Sequence, residues 1–149
     1  MIDISDRYVV LDFETSGFSV RRGARIIEIG AVILEKGSII SEFQTLVNCG
    51  KIISKQAEKV HGISYEMLFG QPVPEDVFPR FHKYISGCTL VAHNAAFDIS
   101  FLRYEFSRLG LGIANRYLCT MRISRKYYPF LPNHKLETVA KHVLGSMPP

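Results

Sequence analysis

The sequence predicts one α/β domain built on a mixed five-stranded sheet flanked by helices, and three observations carry that expectation. The chain opens with apolar runs of period two, its hydrophobic period then changes to that of helices, and one short apolar run returns between two helical stretches. At 149 residues the length suits a single core, and neither a repeat nor a linker divides it.

Tyr8 to Glu14 is rich in β-branched and aromatic residues and stops at Thr15-Ser16-Gly17, as a central strand leaving the core does. Arg25 to Leu34 and Ile39 to Val47 read as two further strands, with Glu35-Lys36-Gly37-Ser38 as the hairpin turn between them and an antiparallel meander as the outcome. Ser54 to His61 then predicts a short helix ended by Gly62, and Ser64 to Phe69 another ended by Gly70. Val77, Phe78, Phe81 and Ile85 recur at helical spacing, which predicts a helix from Asp76 to Ser86 with Asp76 as its N-cap.

Thr89 to His93 is the returning strand, and Ile99, Leu102, Phe106 and Leu109 mark a helix closed by Gly110. Arg116 to Cys119 predicts a last short strand and Thr120 to Tyr128 a helix stopped by Pro129. Leu136, Val139, Ala140, Val143 and Leu144 form an apolar helical stripe with Asn133 as candidate cap, Glu137 and Lys141 as an i,i+4 pair, and Gly145 as terminator.

Composition narrows the function classes. No apolar stretch is long enough to span a bilayer, and the aromatic content excludes a disordered or collagen-like chain. Met1-Ile2-Asp3-Ile4-Ser5-Asp6 lacks the basic and apolar regions of a leader, so the cytoplasm is the expected compartment. Cys49, Cys88 and Cys119 are few and widely spaced, which argues against a disulfide framework or thiolate zinc site. Phosphate-binding, dinucleotide-binding and serine-esterase motifs do not occur, so no nucleotide cofactor is expected. Residues 1–75 hold 8 Lys/Arg against 10 Asp/Glu, and residues 76–149 hold 10 against 4. The second half can therefore face a polyanion.

The most informative run is Val9-Val10-Leu11-Asp12-Phe13-Glu14-Thr15. In a strand, Leu11 and Phe13 face one side while Asp12 and Glu14 face the other, with α-carbons roughly 6–7 Å apart. Two carboxylates on one partly buried surface require a cation between them or a proton on one of them, and the spacing suits oxygen ligation of Mg²⁺ or Mn²⁺. The same pair can also be the solvated end of a strand. His93-Asn94-Ala95-Ala96-Phe97-Asp98 joins a strand's carboxyl end to a helix's amino end, where open α/β sheets hold ligands. Asp98 can point into that crevice, or simply favour the helix dipole.

Together these residues resemble the DnaQ-like 3′–5′ exonucleases, the proofreading family of the DNA polymerase III epsilon subunit, with its ribonuclease H-like fold. Asp12-Phe13-Glu14-Thr15-Ser16-Gly17 is similar to that family's first motif and His93-Asn94-Ala95-Ala96-Phe97-Asp98 to its second. His61-Gly62-Ile63-Ser64-Tyr65-Glu66-Met67-Leu68 resembles the intervening segment, and Asn133 to Ala140 the helix before the third motif.

The resemblance implies an exonuclease-like domain over residues 1–149 in which Asp12, Glu14 and Asp98 are catalytic ligands of a two-metal Mg²⁺ or Mn²⁺ site. That site releases nucleoside 5′-monophosphates from a DNA 3′ end, preferably single-stranded, in proofreading or repair beside a polymerase catalytic subunit. It places Thr15, Gly17, Phe18, His61, Asn94 and Phe97 at the substrate.

The third motif, His-x-x-x-x-Asp on a following helix, supplies the family's general base and fourth carboxylate, and the resemblance puts it shortly beyond Gly145. The residues five positions after His134 and His142 are Val139 and Met147, so neither His fits. The expectation is a domain incomplete at its C-terminus, without the family's terminal helix and with apolar sheet surface uncovered. The alternative function is an impaired module that binds nucleic acid or a polymerase. Cys119 stands where the family often has an Asp before Thr.

Arg116, Arg122, Arg125, Lys126 and Tyr127 interleave cations with aromatics and form a candidate nucleic-acid patch, or else a solvated helix surface. The loop Gly17-Phe18-Ser19 with Arg21-Arg22-Gly23 is a candidate strand contact. His93 is expected to be internally hydrogen-bonded, and Asn94 to shape the turn before Asp98.

Overall fold

Alternation along the first strand sets the architecture: Val9, Leu11 and Phe13 are buried, whereas Asp12 is exposed and Glu14 half-buried. The computed structural model describes residues 7–145, so the leader reading on Met1 to Asp6 and the position of Met147 lie outside the described residues. Strand β1 is Arg7–Thr15, β2 is Ile26–Glu35 and β3 is Ser38–Leu46. These three form the predicted antiparallel meander. Lys36 and Gly37 turn the hairpin with φ of 49° and 80°, the two left-handed positions of a tight turn matched to strand twist.

Strands β4 (Thr89–Ala92) and β5 (Tyr117–Cys119) add on the other side of β1, parallel to it, giving the order β3-β2-β1-β4-β5. Helix α1 is Lys55–His61, α2 is Pro74–Tyr84, α3 is Ala95–Arg108, α4 is Thr120–Tyr127 and α5 is Leu136–Leu144. Helices α2 and α3 cover the inward face of the sheet, where Phe13, Ile29, Phe78, Phe81, Leu102 and Phe106 belong to the main core. Ile27, Ile53, Ala57, Ile63 and Leu68 form a smaller core beneath α1. Among the described residues no helix is long and apolar enough to cross a membrane.

Three local expectations are corrected. Helix α2 begins at Pro74 with Val73 as its cap, because Pro at the first helical position has its φ preset and no N–H to lose. Asp76 is therefore not the cap, and Pro79 falls in the helix interior, leaving the Glu75 carbonyl without that bond. The segment after Gly62 is a 3₁₀ turn over Tyr65–Leu68 instead of a helix. Lys135 caps α5, while Asn133 Oδ1 accepts from Lys135 N–H at 3.1 Å and from Thr138 Oγ1 at 2.7 Å, so Asn133 shapes the entry turn.

Helix α5 forms where its stripe predicts, yet none of its residues is buried: Leu136, Val143 and Leu144 are all more than half exposed. The outer sheet face is correspondingly open. An apolar cavity of about 510 Å³ separates Val10, Val32 and Val91 from Leu136, with Asp12 at its edge. Ser54 Oγ accepts from Ala57 N–H, and Gly62 and Gly145 end their helices in the left-handed conformation, as predicted.

Candidate active site

The acids are positioned by a strand and the first turn of a helix. The pairing of β1 with β2 slips between Glu14 and Thr15, so a bulge turns the chain just after the second carboxylate. Helix α3 carries two acids on one buried stripe, Asp98 and Glu105, seven residues apart. They are treated differently. Glu105 is fully buried and takes both arms of Arg25, Nε to Oε1 at 2.6 Å and Nη2 to Oε2 at 2.7 Å. Asp98 is 3% exposed, and no ion-pair partner stands near it among the described residues.

Instead of a cation, Asp98 has acids for neighbours. Burial, then the charge of Asp12 and, less strongly, that of Glu14, push its carboxyl up to about 7 against the pull of the Phe13 and Asp98 N–H groups. Glu14 is raised by burial, by Asp12 and by Glu28, with His61 opposing. Asp12, though its side chain still reaches solvent, is raised by partial desolvation from the protein around it, against the Phe13 N–H. The two carboxylates of β1 and the one on α3 thus act on one another through their charges.

Glu28 is a further acid that sequence reading missed: it lies directly across the ladder from Glu14. Only the register of β1 on β2 puts it there.

Asp12, Glu14 and Asp98 form an oxygen-only donor set whose charged form is disfavoured by burial and, for Glu14 and Asp98, by neighbouring carboxylates. A hard divalent cation reverses both effects, so the residues fit one chemically. Among the described residues no three His, Cys, Asp or Glu side chains are gathered into a finished ligand set.

The predicted substrate residues divide into framework and surface. Thr15 is buried, and its hydroxyl donates to the Gly17 carbonyl at 2.7 Å, which spends the hydroxyl proton on the turn. A Cβ on Gly17 would lie 3.3 Å from Ala24 Cβ, so glycine permits that loop's close approach. Asn94 holds φ 65° and ψ 52° at the cap of α3 and, as expected, shapes the turn. Phe97 packs against Phe101 with ring centroids 4.8 Å apart at the edge of the core. Phe18 is 58% exposed and free to meet a ligand.

His61 is a clamp. Ile63 N–H donates to its Nδ1 at 3.0 Å, which leaves the proton on Nε2 to donate to the Thr15 carbonyl at 3.0 Å. Both nitrogens are committed, and α1 is thereby tied to the end of β1. His61→Ala is expected to lower turnover 10- to 100-fold through misplacement of Glu14 and Thr15, while circular dichroism stays that of the folded chain. Unchanged turnover in steady-state kinetics would contradict that role.

His93 is internally bonded as expected, Nδ1 to Thr120 Oγ1 at 2.9 Å and Nε2 to the His134 carbonyl at 2.7 Å. His134 Nδ1 meets Ser124 Oγ at 2.9 Å, so this His too belongs to the framework. Cys119 Sγ accepts from Ala95 N–H at 3.4 Å where α3 and α4 begin. Burial works upward on its thiol, but the N–H groups of Arg122, Ala95, Asn94 and Met121 outweigh it and lower the thiol's pKa. An acceptor side chain is what this junction of helix starts requires.

The candidate basic patch splits. Arg122, Arg125 and Lys126 share one exposed face of α4 by their i, i+3, i+4 spacing, with Lys126 Nζ 5.4 Å from the Tyr127 ring centre. Arg116 lies at the amino end of β5 and lines a separate cavity with Arg7 and Cys88. The strand runs away from it toward α4, so Arg116 sits at the opposite end of the sheet from that face.

Comparison with known proteins follows the same outline. A family model described as Exonuclease matches residues 9–147. The DNA polymerase III PolC-type protein of Clostridium perfringens is 40% identical over 138 residues, covering 93% of this chain and 10% of its own length. The DNA polymerase III subunit epsilon of Aquifex aeolicus is 35% identical over 136 residues, 91% of this chain and 67% of its own. A structure of Exonuclease X in complex with 5′ overhanging duplex DNA superposes with a TM-score of 0.74 at 28% identity, covering 92% of this chain and 73% of that one. The chain thus spans about a tenth of the PolC-type relatives it matches. The sheet order and flanking helices are those of the ribonuclease H-like fold of such exonucleases.

Proposed function

The chain belongs to the exonuclease family, and from that premise we propose that it is a metal-dependent 3′–5′ exonuclease domain acting on DNA. The observation that carries this reading is Asp98, a buried acid with no cationic partner among the described residues, coupled by charge to Asp12 and Glu14. Replication proofreading or repair in the cytoplasm, alongside a polymerase catalytic subunit, is the setting that the polymerase III relatives favour.

In this reading Asp12, Glu14 and Asp98 hold Mg²⁺ or Mn²⁺. When bound, a pair of such ions supplies Lewis acidity to the attacking water and to the phosphate. The protein's own part is placement. The bulge after Glu14 and the His61 bond to the Thr15 carbonyl fix the end of β1, and the core anchors α3 so that Asp98 stays beside Phe13. Phe18 gives the terminal nucleotide an exposed ring to lie against, and the basic face of α4 attracts the backbone.

The test is hydrolysis of a 5′-labelled single-stranded oligonucleotide with Mn²⁺. A ladder shortening from the 3′ end, nucleoside 5′-monophosphate products, sensitivity to EDTA, and loss of at least about 10²-fold in Glu14→Ala are expected. Absence of metal-dependent hydrolysis together with absence of Mn²⁺ binding by calorimetry would remove the reading and leave the family relationship.

A further inference from the structure

At the end of the sheet away from the acids, a cavity of about 380 Å³ opens where β1, β4 and β5 begin. Glu14 stands seven residues further along β1 than Arg7, about 23 Å at the rise of a strand. The cavity is therefore separate from the candidate active site. Its volume lies at the small end of the range in which proteins hold small molecules.

The carbonyls around it are already engaged. Helix α2 ends here, and a helix C-terminus with free carbonyls repels an anion. Asn115 Nδ2 donates to the carbonyls of Ile85 at 2.7 Å and of Cys88 at 2.8 Å. Ser86 N–H donates to the Lys83 carbonyl at 3.2 Å, and Cys88 N–H to that of Ile85 at 3.1 Å. His82 Nε2 donates to the Gly112 carbonyl at 3.1 Å.

The cations are not used up in the same way. Arg116 is exposed and has no ion-pair partner among the described residues. Glu35 takes Arg7 Nε at 2.6 Å, which leaves the terminal nitrogens of that guanidinium as donors. The Arg7 charge reaches the buried Cys88 thiol, which burial pushes up and Arg7 draws down. Ser86 and Thr89 add hydroxyls, and no carboxylate lines the cavity. Two guanidinium groups and two hydroxyls, carried on separate segments, outnumber the oxygens of a planar carboxylate and suit a tetrahedral anion with several terminal oxygens.

We propose that this cavity binds a phosphate dianion, free or as the head of a small monoester, with Arg116 and Arg7 as its counter-charges and Ser86 and Thr89 as hydroxyl donors. The acids take no part, so binding here stands or falls independently of the nuclease reading.

The test is a titration of the ¹⁵N-labelled chain in EDTA, followed by amide shifts, with inorganic phosphate, ribose 5-phosphate and acetate at one ionic strength. Saturable shifts are expected at Gly87 to Thr89 and at Arg116, with phosphate and its monoester binding more tightly than acetate. A tighter monoester assigns the site to esterified phosphate, and equal or tighter inorganic phosphate to the free anion. Arg116→Ala is expected to weaken phosphate binding at least about tenfold, the loss of one charge-assisted contact, with Arg116→Lys keeping part of it. Arg103→Ala, which removes an exposed cation of α3, should leave the affinity unchanged. Phosphate that binds Arg116→Ala as it binds the parent overturns the proposal, as does phosphate binding no tighter than acetate or shifts that avoid Gly87 to Thr89.

Discussion

Asp98→Asn is expected to stabilise the chain at pH 7.5 and, in the same protein, to abolish hydrolysis. The carboxyl is 3% exposed and pushed up to about 7 by burial and by Asp12. A carboxyl with a higher pKa folded than unfolded holds more protons in the folded state between those two values. Its contribution to stability therefore falls as pH rises from about 4 and is fully adverse above about 7. The gap between about 7 and the ordinary 3.8 corresponds to at most about 4 kcal/mol.

In EDTA, the unaltered chain should melt higher at pH 5.5 than at pH 8 as far as this group contributes, and Asp98→Asn should lack that part of the fall. The variant should gain several degrees at pH 8, because about 1 kcal/mol moves the midpoint of a domain this size by about 2–4 °C. Millimolar Mn²⁺ should raise the midpoint of the parent and not of the variant, and turnover should fall at least about 10²-fold. A variant less stable than its parent at pH 8, in calorimetry, would show that Asp98 is satisfied by the protein alone and needs no cation.

The other acid on the same helix stripe should behave in the opposite way. Glu105→Ala leaves the guanidinium of Arg25 buried without a counter-charge, and the expected cost is roughly 3–5 kcal/mol. That is a large share of the total stability of an ordinary domain. The Ser16–Arg25 backbone bonds lie within the same cluster, so the turn after Glu14 should loosen as well.

Replacing both partners with methionine should recover much of the loss, since the cost lies chiefly in the stranded charge and not in the missing attraction. Urea denaturation of the single variants and the double variant measures the coupling. A Glu105→Ala midpoint within experimental error of the parent's would refute the role given to the pair.

Asp98 and Glu105 also show where sequence reading stops. Both are acids on one stripe of α3, and nothing in their spacing tells them apart. Arg25 lies 80 residues before Glu105 and reaches it only because β2 and α3 pack together. The same holds for Glu28, set across from Glu14 by the pairing of β1 with β2, and for Lys51, brought opposite Arg22 by the Ser16–Ser54 bond. His61 was legible as a residue near the substrate or a helix end, but its clamp on Thr15 was not, because that bond spans 46 residues.

By itself the sequence determined the strands and most helices, the shared outward face of Asp12 and Glu14, and the turn chemistry of Lys36-Gly37 and Gly62. These are set by side-chain period and by local backbone preference, both written within a few residues. Tertiary structure alone decided that Glu105 meets a cation while Asp98 meets two acids, that the stripe of α5 stays open, and that Arg116 stands apart from the cations of α4. Each depends on which distant surfaces come into contact, and charge and burial act through space rather than along the chain.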